Sequence, residues 1–295
     1  MAVVVHFVGT LRRQAGEALL RRVAGPTAHE KRARIHTTPG PRWFAPDRPV
    51  RSVHANASMY VGGLAALLLQ TLHPVAMRAV WAHSGFQSDP WGRLQRTSTF
   101  LAVTTFGTAD DAEQAVQRVR RIHSSVSGTT AEGTSYRASD PHLLAWVHAA
   151  ETYCFLEAYL RYSRRPLSVR QQDAYVADMA AVARRLGVLD PPTSRAALVR
   201  ELAQWRGALR ATRESDATLR YLLLTPPLPW PVRLPYALLA AAAVDLLPNW
   251  AQEHLKLPAR TRLLLPVARI GGLAVTSAIR RITPGLPPPG SGIKA

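Results

Sequence analysis

The chain has 295 residues, of which 47% are hydrophobic, and a formal net charge of +18. At this length a single core can bury roughly 75% of the surface that the unfolded chain exposes, so the fold needs no disulfide or zinc staple. The lone cysteine, Cys154, excludes a disulfide framework, a cysteine-based zinc site and covalent haem attachment through C-x-x-C-H.

The charge is uneven. Residues 1–51 hold ten Arg or Lys against three acids, and residues 256–295 hold seven against none, so the two ends carry +14 of the total. Basic ends can seek nucleic acid or anionic lipid. Against that, only Lys31, Lys256 and Lys294 are lysine, and the arginine excess, with the alanine and proline load, matches a genome-wide composition bias.

Taken in chain order, helix signals recur throughout. A helix is expected over 5–23. The N-terminus lacks the charged start, apolar run and small-residue cleavage site of a secretory signal, which points to a cytoplasmic protein and leaves peripheral contact with an anionic membrane open. Residues 24–56 read as an ordered loop or arm anchored by Trp43 and Phe44. The apolar stretch 57–82 reads as a helix broken or kinked at Pro74. Asp89-Pro90 and Asp140-Pro141 each set an N-cap acceptor before a proline at the first helical position, opening helices over 90–106 and 140–163. Thr108, followed by Asp110, Asp111 and Glu113, starts another, with negative charge on the positive end of its dipole. Gly128 reads as its C′ stop, and Ala112, Ala115, Val116, Val119, Ile122, His123 and Val126 as its apolar face.

Further helices are expected over 168–187, 194–210, 213–224, 235–254 and 259–282. Asp245 and Arg269 interrupt the two stretches closest to a membrane span. Period-2 alternation with turn dipeptides is missing, so no sheet is expected, and there is no repeat at a solenoid period. From Thr283 the sequence PGLPPPGSG reads as an extended, mobile tail. The expected fold is all-α, a single multi-helix domain. Residues 1–50 form its basic N-terminal helix and arm, 51–257 its core, 258–282 a C-terminal helix packed on that core, and 283–295 the tail.

Four histidines, His73, His83, His123 and His148, fall in or beside these central helices. His123 lies on the apolar face of its helix, where an unpaired buried ring costs a few kcal/mol. A satisfied core histidine explains it; so does a metal or haem iron taking a neutral ring nitrogen. His148 repeats the situation on the next helix, with Glu151 three residues on, able to orient it, to form an acid–base couple or to make a structural hydrogen bond. Arg93, Arg96 and Thr97 share a stripe on the 90–106 helix, where they can clamp carboxylates or phosphates or form a solvated face. Leu94, Phe100 and Leu101 favour burial of that helix. His73 and His83 read as structural donors. E-x-x-H, H-E-x-x-H, G-x-S-x-G, G-x-G-x-x-G and the P-loop pattern are absent, which leaves haem ahead of zinc, flavin or nucleotide by elimination.

GGLAALLLQTLHPVA, HSGFQSDPWGRLQRT, RVRRIHSSVSG, YRASDPHLLAWVH and LLPNWA together resemble the haem-dependent oxygenase family of latex-clearing protein (rubber oxygenase) and the mycophenolate-pathway oxygenase MpaB, over about Arg51 to Leu257. The resemblance implies haem b held without covalent attachment in a pocket enclosed by the helices, with His123 as proximal ligand. Arg93, Arg96 and Thr97 match the spacing of the Arg-x-x-Lys-Thr turn of latex-clearing proteins, but Arg96 replaces the lysine. Arginine stays protonated and cannot cap iron as a lysine amine can, so Arg96 is expected to hydrogen-bond oxygen or a haem propionate. Ala65 also departs from the arginine expected after the double glycine.

The implied activity is oxygenation of an apolar, olefinic or isoprenoid-like substrate with dioxygen. Arg93, Arg96 and Thr97 would then be catalytic, with His123, Arg93, His148 and Glu151 around the cofactor and His123 on the metal. Two alternatives stand beside it. One is a basic helical protein binding nucleic acid or the surface of an anionic membrane, the first of these being disfavoured. The other is a haem-binding sensor without turnover.

Overall fold

A computed structural model describes residues 2–85, 88–257 and 265–283. The chain is all-α apart from one small hairpin. In order it forms α1 (Ala2–Ala24), α2 (Ala28–Thr37), α3 (Pro49–His54), α4 (Met59–Gln70), α5 (Pro74–His83), α6 (Pro90–Phe106) and α7 (Ala109–Ser125). The hairpin β1 (Ser127–Thr129) and β2 (Ser135–Arg137) follows. Then come α8 (Pro141–Tyr162), α9 (Val169–Leu186), α10 (Arg195–Trp205), α11 (Arg213–Leu223), α12 (Trp230–Leu246), α13 (Asn249–His254) and α14 (Leu265–Ile282).

The capping residues set the helix starts. Asp89 accepts from the Gly92 N–H at 2.8 Å, Thr108 from the Asp111 N–H at 3.1 Å and Asp140 from the His142 N–H at 2.9 Å. Each satisfies a backbone donor that the helix geometry orphans, a contribution of about 1 kcal/mol. At the end of α9, Gly187 takes a left-handed conformation with φ +113° and closes the helix through its own N–H and that of Val188.

α8 runs through the centre and packs on α4, α9 and α10. Gly62 permits the α4–α8 contact, since a Cβ there would lie 3.0 Å from the Cys154 carbonyl oxygen and 3.1 Å from the Phe155 Cα. Leu68, Leu69, Leu72 and Trp146 fill this contact without solvent exposure. At Pro74 the chain turns through 109° between α4 and α5. His73 caps the second helix, its Nδ1 accepting from the Ala76 N–H at 3.2 Å, and His83 pairs with the Tyr136 hydroxyl at 3.1 Å. Both histidines have structural partners.

Four expectations change. Residues 24–56 are not a plain arm: α2 buries Ala28 and Ile35, and α3 starts at Pro49 with Val50 and Val53 inside. Phe44 is buried as an anchor, and Trp43 lies under the Arg185 guanidinium at 4.4 Å. α7 stops at Ser125, and Gly128 sits in a strand, where a Cβ would meet the Tyr136 hydroxyl at 2.6 Å. Strands of three residues are too short to show a period-2 pattern, which is why the hairpin is invisible in the sequence. The 235–254 helix begins earlier, at Trp230, and is divided before Asn249 by Pro248, which cannot continue the preceding helix. Finally, Ile122 is 53% exposed, one position outside the inner stripe of α7.

The buried Asp245 carboxylate binds Arg161 of α8 at 2.6 Å and Arg269 of α14 at 3.1 Å, tying three helices together. No single helix among the described residues is long and apolar enough to cross a membrane. Residues 259–264, where the last helix was expected to start, and the tail beyond Thr283 lie outside the described residues.

Candidate active site

α6 and α7 form a helical hairpin joined at Gly107, which brings Arg93 near the start of α6 to the same end as His123 near the end of α7. The two helices pack on each other; α6 also lies on α1 and α3, α7 lies on α9, and α3 and α9 both pack on α8. The open end of this hairpin is thinly covered. Between Trp91 and Val103 no residue is fully buried, and in α7 only Ala112 and Val116 are. Leu94, Phe100 and Leu101, expected in a mostly buried helix, are therefore only half-buried.

His123 lies half-buried on this hairpin, and its Nδ1 is fully buried without a hydrogen-bond partner. Burial holds its pKa below the usual imidazole range, so the ring is neutral at pH 7. His148, buried on α8, repeats the pattern. Its Nδ1 faces the Thr152 hydroxyl at a long 3.4 Å, while Nε2 is buried and unpartnered. Burial, and then the charge of Arg184 on α9, lower its pKa to about 4. Buried polar atoms in folded proteins almost always find partners, and these two imidazole nitrogens, on α7 and α8, are among eight buried side-chain atoms without one among the described residues.

Arg93 lines a small, partly open cleft between α4, α5, α6, α8 and α11 with a free volume of about 30 Å³. That is room for about one water molecule, far below the roughly 300–1,000 Å³ of small-molecule sites, so a substrate would need the cleft to widen. Leu67, Met77, Val80, Val147 and Leu222 make the walls apolar, and Gln70, Arg93 and Thr218 supply the polar points. The Thr218 hydroxyl is buried and lacks a partner. Glu151 stands beside this cleft. Burial raises its pKa to about 7, against the opposing effects of a hydrogen bond with Gln70 and the charge of Arg93. Burial likewise lowers the pKa of Arg93, with Glu151 acting against it.

The structure thus brings Arg93 and Glu151 together and leaves other candidates apart. Arg96 and Thr97 are exposed, and Arg96 pairs with Asp89 at 3.4 Å across the first turns of α6. Only the Arg93 side of that stripe turns inward. His148 and Glu151 share α8 but take different partners, Thr152 in one case and Gln70 in the other. Gln70, Thr152, Arg184 and Thr218 were not singled out from sequence. Gln70 did leave a signal, as the polar residue closing the otherwise apolar run GGLAALLLQ.

A porphyrin supplies four of the iron's ligands and needs one neutral imidazole from the protein, apolar faces and nearby cations for its propionates. His123 would offer the imidazole, the half-covered hairpin an apolar face and Arg93 a cation, while the exposed Arg184 acts on His148 instead. Among the described residues, no cluster of three or more His, Cys, Asp or Glu side chains is arranged to hold a bare metal ion.

The chain belongs to the family described as ER-bound oxygenase mpaB/B'/Rubber oxygenase, catalytic domain, whose model matches residues 50–276. It is also similar to the uncharacterized proteins Mb2261 of Mycobacterium bovis and Rv2237 of Mycobacterium tuberculosis. In each case 30% of residues are identical over 146 residues, covering 49% of this chain and 57% of the relative. The chain therefore spans just over half the length of these relatives. No solved structure matches it.

Proposed function

We propose that the chain is a haem b-dependent oxygenase acting on an apolar substrate with dioxygen. The reading rests on His123, a neutral imidazole with an orphaned buried nitrogen on a hairpin whose apolar face is half-covered. When bound without covalent attachment, haem would supply the redox chemistry that activates oxygen. His123 would hold the iron as axial ligand, the role that the family signature RVRRIH also favours.

The remaining residues position, exclude water and handle protons. Leu67, Met77, Val80, Val147 and Leu222 present an apolar wall for an olefinic or isoprenoid-like chain. Arg93 sets a fixed positive charge at the cleft, suited to a propionate or to developing negative charge on oxygen. Glu151, with a pKa near neutrality, can give or take a proton at its carboxyl between Gln70 and Arg93. His148 is assigned the second imidazole of the region, kept neutral by burial. Arg96 and Thr97 are assigned the rim of α6 rather than the reacting centre.

The test is an absorption spectrum of the full chain purified with haem supplied, followed by oxygen uptake with olefinic substrates. The reading expects an intense Soret band in the wild type, its loss in His123→Ala with unchanged circular dichroism, and its retention in His148→Ala. A band that survives His123→Ala but not His148→Ala reassigns the ligand. A well-folded protein that takes up no haem overturns the reading, and a haem protein that never consumes oxygen with substrate is a sensor.

A further inference from the structure

The large exposed hydrophobic side chains are not scattered evenly. Most lie on α12, α14 and the turn leading into α12, and the few others, such as Val169 and Leu189, are isolated. Leu224 is 74% exposed, Trp230 82%, Leu234 71% and Ile270 68%, with Val267 and Leu273 flanking Ile270 on α14. α12 and α14 pack along each other. Gly271 and Gly272 mark the inner side of α14, since a Cβ there would strike Leu238 of α12 at 2.9 Å and the Tyr162 ring of α8 at 2.5 Å. Ile270 lies on the opposite side of α14, Val267 is exposed on its flank, and Leu234 is exposed on α12 beside it. Between these larger residues the outer surface holds Ala237, Ala241, Ala274 and Ala278, all exposed. α1 packs on α14 as well, and the side chains named above stay exposed beside it.

Its charge is one-sided. From Ala217 to Thr283 the acids are Asp245, buried and tied to Arg161 and Arg269, and Glu253 on α13. Arg220, Arg233, Arg269 and Arg281 are exposed around the apolar strip. Contiguous apolar surface of this extent on a soluble domain marks an interaction site. An apolar strip carrying an exposed tryptophan and edged by arginines is the pattern of a helix lying in a membrane interface, with the cations on anionic headgroups. A helix pair without a spanning segment can lie on a bilayer but cannot cross it.

We infer that the outer face of the α12–α14 pair, together with the turn at Leu224–Leu234, seats on an anionic lipid surface. The placement also serves the cleft. Thr218 and Leu222 of α11 line it, and Leu224, at the end of the same helix, opens the lipid-facing strip. An apolar compound dissolved in the bilayer would meet the strip within a turn of the helix that lines the cleft.

The experiment is co-sedimentation of the full chain with vesicles of phosphatidylcholine, without and with phosphatidylglycerol, at low and physiological salt. The full chain should sediment with the anionic vesicles and release with added salt. Trp230→Ser with Ile270→Ser removes the apolar term, and Arg233→Glu with Arg281→Glu reverses charge; each should weaken binding roughly tenfold or more with unchanged circular dichroism. Because the two variants act on different terms at exposed positions, misfolding of one leaves the other to decide. Absence of sedimentation with either vesicle overturns the assignment, as does wild-type binding by both variants. A dimer in solution that the same serine substitutions dissociate overturns it too, and assigns the face to a second copy of the chain.

Discussion

The α4–α8 contact and the α6–α7 hairpin differ in composition and end in opposite states: α4 is almost wholly apolar, whereas α7 carries three acids and three arginines. In the first, Leu68, Leu69, Leu72 and Trp146 are fully buried, and the Trp146 Nε1 donates to the Gln70 carbonyl at 3.3 Å. In the second, Leu94, Phe100, Leu101 and Val119 stay half-exposed, and His123 keeps a buried nitrogen without a partner. A close-packed interior leaves few such gaps. The difference separates a region that buries its apolar surface within the fold from one that leaves part of it exposed.

Breaking the packed region should have the largest effect. Trp146→Ala removes a fully buried ring and its hydrogen bond, and should destabilise the chain by about 3–5 kcal/mol. Urea unfolding of the haem-free protein measures it. A loss under 1 kcal/mol would mean that the α4–α8 contact is not the centre of the core.

The next effect is one of pH. His148 has a folded pKa of about 4 against roughly 6.5 when unfolded. The unfolded chain therefore binds the extra proton, and the stability that the neutral ring contributes above about pH 6.5 is lost as pH falls towards 4, by up to about 3 kcal/mol. Glu151 acts in the opposite sense. Its folded pKa of about 7 lies above the unfolded value, so stability is lost as pH rises from about 4.5 to 7. His54, whose pKa burial lowers to about 3, adds to the His148 effect. Wild-type melting should therefore still fall in acid, His148→Gln should fall less steeply, and Glu151→Gln should gain near pH 7. Parallel pH profiles for all three would remove both groups from the account.

On the hairpin the sign of a core substitution should reverse. His123→Leu replaces an orphaned nitrogen by an apolar side chain and should stabilise the haem-free protein by about 1 kcal/mol. The same substitution should abolish the further stabilisation that bound haem gives the wild type, since only a ligand bound to the native state adds to its stability. Denaturant midpoints with and without haem provide both numbers.

Much of this contrast was legible in the sequence. The proline-led caps at Asp89 and Asp140 are local chemistry, and the all-α fold follows from helical periodicity between such signals. His123 was legible because one histidine in an apolar stripe is conspicuous. The cleft was not, because it joins α4, α5, α6, α8 and α11, and no periodicity records which helices a tertiary fold brings together. Thr218 shows the limit: one threonine among many until its hydroxyl is found buried and unpartnered. The Arg93–Arg96–Thr97 stripe was legible as a stripe but not in its depth, since helical spacing fixes a shared face and leaves open how far round that face burial extends.

That last point gives the smallest and most discriminating comparison. Arg96 and Asp89 are both well exposed, so their 3.4 Å ion pair contributes little. Arg96→Ala should leave the unfolding free energy within about 0.5 kcal/mol of wild type. Asp89→Ala also deletes the cap on Gly92 and should cost about 1 kcal/mol, although the two residues share one ion pair. Arg93→Ala should also change stability modestly, because removing the guanidinium leaves Glu151 without its nearby cation and pushes that carboxyl further towards its neutral form. The visible spectrum of the haem-loaded protein then separates the two arginines: it should shift in Arg93→Ala and stay at the wild-type position in Arg96→Ala. A shift in both would bring Arg96 inward on haem binding, and the α6 stripe would act as one unit, as its spacing first suggested.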